Sequence, residues 1–170
     1  MGAVGQVCSD CHLVFQVKVQ QKYHWRDFDT VTLIDPVTSA NMTFGDYMTA
    51  MAGSFEGALA DIPVNLAKAQ NNITDFDARF DELANNGCRQ CHTNPLTQQE
   101  IPRAYYADPA SLGLIDKMKQ DLLTGGQSNI AEAVTLSGAI GNNICFNCHL
   151  VHMPAQTTKD IWSQFSQILK

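Results

Sequence analysis

The sequence predicts a mostly α-helical fold with a small N-terminal β-hairpin, in a single domain that covers residues 1–170. Two kinds of hydrophobic spacing lead to this prediction. Several segments after residue 43 repeat apolar residues every three to four positions, whereas two short runs before residue 36 are typical of strands. A length of 170 residues with 45% hydrophobic content suits one domain.

The predicted hairpin lies in the first quarter of the chain. In residues 14–20 apolar and polar side chains alternate, and residues 30–34 form a β-rich run that ends at the Asp35-Pro36 turn. We expect these two runs to pair. The aromatic segment 23–28 would then connect them.

Two helices are predicted in the middle of the chain. The first begins at Thr43, which with Asp46 resembles a capping box, and ends where Asp61-Ile62-Pro63 interrupts it. The second has one apolar face, and Gly87 is its predicted end. The residues of that apolar face are Ile73, Phe76, Phe80 and Leu83.

Three further helices are predicted after residue 107. Asp108 followed by proline has the pattern of an N-cap and first helical position, and Gly125-Gly126 ends that helix. A fourth helix is expected over about residues 128–137. The last is expected from about residue 158 to the C-terminus.

All six cysteines belong to one repeated pattern. Cys-x-x-Cys-His occurs at residues 8–12, 88–92 and 145–149. This is the attachment signature of c-type haem, in which the two thiols add to the porphyrin vinyl groups and the histidine coordinates the iron. One Cys-x-x-Cys pair alone is also compatible with half of a zinc site or with a redox dithiol. Three copies followed directly by histidine favour haem, because neither alternative needs that histidine. The expected attachment residues are Cys8, Cys11, Cys88, Cys91, Cys145 and Cys148.

On these motifs the chain resembles the multihaem c-type cytochromes, with three haems expected here. The resemblance implies a fold organised by its cofactors, with little conventional core. It also implies haem attachment outside the cytoplasm, and therefore a periplasmic or extracellular location. Residues 1–5 lack the charged start and apolar stretch of a signal peptide, so we expect the leader to have been removed already.

Three haem irons require three proximal histidines and, if all are six-coordinate, three distal ligands. His12, His92 and His149 end the motifs and are the expected proximal ligands. The two remaining histidines, His24 and His152, are the expected distal ligands, although each could instead be an ordinary histidine. Since His152 follows His149 by only three residues, we expect it to ligate a neighbouring haem rather than its own.

One iron is then left without a histidine, and methionine is the usual substitute. Residues 41–51 are similar to the helix that presents the distal methionine in the tetrahaem cytochrome subunit of photosynthetic reaction centres, which makes Met51 the first candidate and Met48 the second. In that family a Gly-Cys-x-x-Cys-His motif follows closely, whereas here residues 52–86 intervene before residues 87–92. Methionine at helical spacing is also common in a core. The other methionines considered are Met42, Met118 and Met153.

The net charge of −6 makes nucleic acid an improbable partner. It would attract basic redox proteins, or it could serve solubility alone. No apolar run reaches about eighteen residues, so no transmembrane segment is expected.

Three functions are compatible with the motifs. The first is electron transfer through three haems, without enzymatic activity. The second is a subunit of an extracellular filament or larger redox complex, in which a neighbouring chain donates a ligand. The third is a small-molecule reductase with one open iron. Residues that could line such a pocket are Arg89, Arg103, Tyr105 and Tyr106, and candidates for contacts with haem propionates are Lys22, Arg26 and Arg103.

Overall fold

The computed structural model describes Arg26, residues 28–103, residues 107–149 and His152. Its elements are a 3-10 turn (Phe28–Thr30), strands β1 (Thr32–Ile34) and β2 (Asn41–Thr43), helices α1 (Phe44–Asp61) and α2 (Leu66–Glu82), a π-helical turn (Leu83–Gly87), helices α3 (Cys88–His92), α4 (Pro109–Thr124) and α5 (Gln127–Ile140), and a second π-helical turn (Gly141–Cys145). The predicted fold class, mostly α with a small sheet near the N-terminus, is confirmed.

The sheet consists of β1 and β2, paired antiparallel with Leu33 opposite Met42. Leu33 is buried, whereas its neighbours in β1 are exposed, as the period of a half-buried strand requires. The predicted β-rich run at 30–34 is therefore confirmed as a strand. Its predicted partner at 14–20 lies outside the described residues, and no strand was predicted at β2.

Helix α1 begins as predicted. The Thr43 hydroxyl accepts a hydrogen bond from the Asp46 backbone N–H at 3.2 Å and lies 2.7 Å from the Asp46 carboxylate. The helix ends at Asp61, immediately before the predicted Ile62-Pro63 interruption.

Helix α2 is capped by Asn65, whose side chain accepts from the Lys68 backbone N–H at 3.1 Å. The prediction that Gly87 ends this helix is wrong. Gly87 has helical angles of φ −63° and ψ −56°, and the chain continues through the first π-helical turn into α3. Glycine is needed there for packing, because an added Cβ would lie 3.0 Å from the side chains of both Leu33 and Leu83.

Helices α4 and α5 form a hairpin. Asp108 caps α4 by accepting from the Ser111 backbone N–H at 2.8 Å, as predicted. The predicted stop at Gly125-Gly126 is confirmed, and both residues have positive φ angles of 69° and 83°, which glycine adopts without strain. Helix α5 spans Gln127–Ile140, slightly longer than predicted. The helix predicted beyond residue 158 lies outside the described part of the chain.

The helices bury a hydrophobic core. Helix α2 packs against both α1 and α4, and α5 packs against α4. The expectation of little conventional core is therefore wrong for the described residues, because apolar side chains of all four long helices belong to one buried cluster. Buried core side chains include Tyr47, Met51, Ile73, Phe76, Phe80, Ile115, Met118, Leu122, Leu136 and Ile140. Within the described residues, no helix combines the length and apolar character needed to cross a membrane.

Candidate functional site

The second and third motifs share more sequence than the haem signature alone. Residues 85–92 read Asn-Asn-Gly-Cys-Arg-Gln-Cys-His, and residues 142–149 read Asn-Asn-Ile-Cys-Phe-Asn-Cys-His. The sequence interpretation missed this longer repeat, although the Asn-Asn pair was a visible signal for it.

The two copies of the longer repeat have a similar backbone conformation. A π-helical turn accompanies the first cysteine of each motif, at Leu83–Gly87 and at Gly141–Cys145. In each turn a backbone N–H donates to the carbonyl five residues earlier, Cys88 to Leu83 and Phe146 to Gly141. Such turns are rare in helices and frequent at functional sites.

The second motif is held in the interior. Its residues Cys91 and His92 are only 2% and 5% exposed. The Gln90 side-chain amide donates to the Thr32 carbonyl at 3.1 Å and accepts from the Arg26 guanidinium at 2.5 Å. These bonds join the motif to strand β1 and to the segment before it.

The chain returns across the second motif after α3. The Ile101 backbone N–H donates to the His92 carbonyl at 3.1 Å, and Thr93 pairs with Glu100 in an antiparallel bridge. Arg89 forms an ion pair with Glu100 at 3.3 Å. The second motif is thus enclosed between the hairpin and residues 93–101.

The third motif lies at the surface. His149 is exposed, Cys145 and Cys148 are partly buried, and Phe146 is 57% exposed. An exposed phenylalanine within the motif leaves an apolar surface beside two thiols. The first motif, with Cys8, Cys11 and His12, lies outside the described residues, as does His24.

The second and third motifs meet in space. Burial raises the pKa of the Cys88, Cys145 and Cys148 thiols. The pKa of Cys88 rises to about 12, first because of burial and then because the negative charge of the Cys148 thiolate opposes ionisation.

His152 also reaches the second motif. Its ring centroid lies 5.8 Å from that of His92, with 54° between the ring planes. Phe28 and His152 form a T-shaped pair at a centroid distance of 5.1 Å, and Phe28 is itself stacked on Phe44 at 4.7 Å. Phe28, stacked on Phe44 at the start of α1, therefore packs against the His152 ring.

The candidate methionine ligands that the structure describes all belong to or pack against the core. Met51 is 5% exposed and Met118 is fully buried, while Met42 and Met48 are partly buried against the core. Such buried and partly buried positions are typical of methionines in a hydrophobic core. A ligand role for Met51 stays a prediction, and Met153 lies outside the described residues.

The candidate propionate-binding arginines already have protein partners. Arg26 donates to Gln90, and Arg103 donates to the Asn85 side chain at 2.9 Å. Lys22, Tyr105 and Tyr106 lie outside the described residues. Their proposed contacts stay predictions.

A buried ion pair fixes helix α2, which precedes the second motif. The Arg79 guanidinium donates Nε to Asp35 Oδ1 at 2.8 Å and Nη2 to Oδ2 at 3.0 Å, and its Nη1 donates to Ser54 Oγ. The Tyr47 hydroxyl donates to the Arg79 carbonyl at 2.7 Å. Because Asp35 lies in the hairpin turn, this network fastens the hairpin to helix α2.

The ion pair determines the ionisation of its carboxylate. The hydrogen bonds from Arg79 hold the pKa of Asp35 at about 2, helped by the Thr38 hydroxyl and opposed by burial. Sequence reasoning missed this network, since its two charged members, Asp35 and Arg79, are separated by 44 residues and no local signal joins them.

No protein-family model, curated protein or solved structure matches the chain. In the described segments, no three histidine, cysteine or acidic side chains cluster as ligands for a single metal ion.

Proposed function

We propose that this chain is an electron-transfer protein with three covalently attached c-type haems, one at each Cys-x-x-Cys-His motif. The observation that carries the proposal is the convergence of two distant segments, because His152, three residues after the third motif, has its ring centroid 5.8 Å from that of His92 in the second motif. The three motifs together use every cysteine of the chain.

The residues at the second motif fit the proposed cofactor. Cys88 and Cys91 lie one helical turn apart in α3, and His92 follows them in a buried position. Apolar side chains surround these donors, including Leu33, which packs on Gly87. Two thiols, an imidazole and an apolar lining are the groups that a covalently attached haem requires.

A c-type haem supplies a one-electron iron couple when bound, and the protein supplies ligands and insulation. In this proposal the second and third motifs hold neighbouring cofactors, since His152, three residues after the third motif, lies beside His92. Enclosure by the hairpin and residues 93–101 excludes water from His92. The chain would thus offer a conduit between redox partners and perform no reaction on a substrate.

The exposed third motif favours a second candidate, a subunit of a larger redox complex or filament. Phe146 would belong to the surface that a partner covers. In both candidates haem attachment takes place outside the cytoplasm, in the periplasm or beyond. The net charge of −6 favours basic redox proteins as partners.

Potentiometric titration of the purified holoprotein, followed by exposure of the reduced protein to carbon monoxide, tests the proposal. We expect three one-electron steps and six-coordinate, low-spin irons that do not bind carbon monoxide. The double variant Cys145→Ala/Cys148→Ala should lose one step and keep the other two. A high-spin iron that binds carbon monoxide would favour the reductase alternative, and a protein without haem would refute the proposal.

A further inference from the structure

We infer that His92 and His152 are the two axial ligands of the haem attached at the second motif. A histidine that follows the third motif would then complete the neighbouring site. This inference rests on the proposed function and adds to it which distal histidine serves which haem.

The separation of the two rings fits ligation of one iron by both histidines. Metal–imidazole bonds are about 2 Å long and a ring centroid lies about 1 Å behind its nitrogen, so two histidines on opposite sides of one iron have centroids about 6 Å apart. The observed separation between His92 and His152 is 5.8 Å. The interplanar angle of 54° is compatible with axial ligation, because each ring can rotate about its own bond to the metal.

The two histidines of the third-motif segment differ in exposure. His149 is exposed, whereas His152 is partly buried and lies beside His92. Three residues of chain span at most about 10 Å, so a group held by His149 must be close to one held by His92.

The His152 ring is supported by Phe28. The two rings are T-shaped, and Phe28 is stacked on Phe44, the first residue of α1. A T-shaped aromatic contact of this kind restricts the orientation of the imidazole ring. Phe28 is therefore a positioning residue for His152.

The test compares His152→Met in three holoprotein backgrounds by low-temperature EPR and near-infrared magnetic circular dichroism, which report axial ligands. In the otherwise native chain, one bis-histidine haem should become histidine/methionine-ligated and its reduction potential should rise. In the Cys88→Ala/Cys91→Ala background, which lacks the second haem, the substitution should have no effect. In the Cys145→Ala/Cys148→Ala background the effect should persist.

His24→Met is the matched control, because it changes the other histidine outside the motifs. It should leave the signal of the second haem in place. His152→Gly provides an independent variant in which added imidazole should restore the low-spin signal. The haem content of every variant is verified by intact mass.

A spectral change that persists without the second haem would overturn the inference, since His152 would then serve another iron. An unchanged spectrum in His152→Met would also overturn it and would mean that the two rings only pack together. A chain that binds no haem is a separate result, which refutes the proposed function itself.

Discussion

The second and third motifs have nearly the same local structure and very different surroundings. Both follow a long helix, both include a π-helical turn, and both have the Asn-Asn-x-Cys-x-x-Cys-His sequence. Yet His92 is 5% exposed, whereas His149 is exposed and its neighbour Phe146 is 57% exposed. The local sequence therefore determines the shape of the motif, and long-range contacts determine its burial.

The hairpin supplies several of the contacts around the second motif. Leu33 packs on Gly87, the Thr32 carbonyl accepts from Gln90, and the Asp35–Arg79 ion pair holds the hairpin turn to α2. Under the proposed function, the buried site would be the insulated centre of the conduit and the exposed site its contact with partners.

The largest effect is expected for Asp35→Asn. The substitution leaves the Arg79 guanidinium buried without its counter-charge, and loss of one member of a buried pair destabilises by about 3–5 kcal/mol. Urea unfolding measures the change. Asp116→Asn, at an exposed carboxylate that also faces a lysine, is the control and should change stability little.

The same variant should affect the two motifs unequally. Hydrogen exchange should accelerate in residues 88–92 and remain nearly unchanged in residues 142–149, because the hairpin contacts the first of these segments. Equal acceleration of exchange in both segments would contradict the inference that the hairpin causes the difference in burial between the two motifs.

A pH dependence of about 2 kcal/mol is expected from the same carboxylate. Because the pKa of Asp35 is lowered from 3.8 to about 2 in the folded protein, its stabilisation is complete above about pH 4 and is lost as the pH falls through 2. Denaturant unfolding at a series of acidic pH values measures this loss. The Asp35→Asn variant should not show the loss of stability that comes from protonation of Asp35. If both proteins lose stability identically as the pH falls, Asp35 is not the source of the loss.

A smaller difference in stability is expected between alanine substitutions at two glycines of the π-helical turns, Gly87 and Gly141. A Cβ at Gly87 would press on Leu33 and Leu83, whereas a Cβ at Gly141 meets nothing within 4 Å. We expect Gly87→Ala to be less stable than Gly141→Ala by about 1–2 kcal/mol, since overpacking opposes the helix propensity gained by alanine. Thermal unfolding of the two variants gives the difference, and equal stabilities would show that the Gly87 contact yields without strain.

The smallest effect is expected at the exposed side of the second motif. Arg89→Gln removes the ion pair between Arg89 and Glu100. Both side chains are partly exposed, so the free energy of unfolding should fall by less than about 1 kcal/mol. The loss should diminish further at high salt. A loss that is large and insensitive to salt would mean that residues 93–101 enclose the motif more strongly than the hairpin does.

Features that depend on neighbouring residues could be predicted from the sequence. The caps at Thr43 and Asp108 and the stop at Gly125 depend only on side chains one turn away. The Cys-x-x-Cys-His motifs were recognisable for the same reason. Gly87 was misinterpreted as a helix end because its packing partner, Leu33, lies on another element.

Features that depend on distant parts of the chain could not be predicted. Strand β2 forms because of its pairing with β1, and the Asp35–Arg79 pair forms because α2 folds against the hairpin. The proximity of His152 to His92 likewise follows from tertiary packing, so sequence alone left open which haem His152 would serve.

The number of covalently bound haems tests the central claim most directly. The chain would be produced with a c-type haem maturation system, and its intact mass would be measured after denaturation, which removes every non-covalent ligand. The account predicts the mass of the polypeptide plus three haems, with one haem fewer in each double-cysteine variant. A mass equal to that of the polypeptide alone would contradict it.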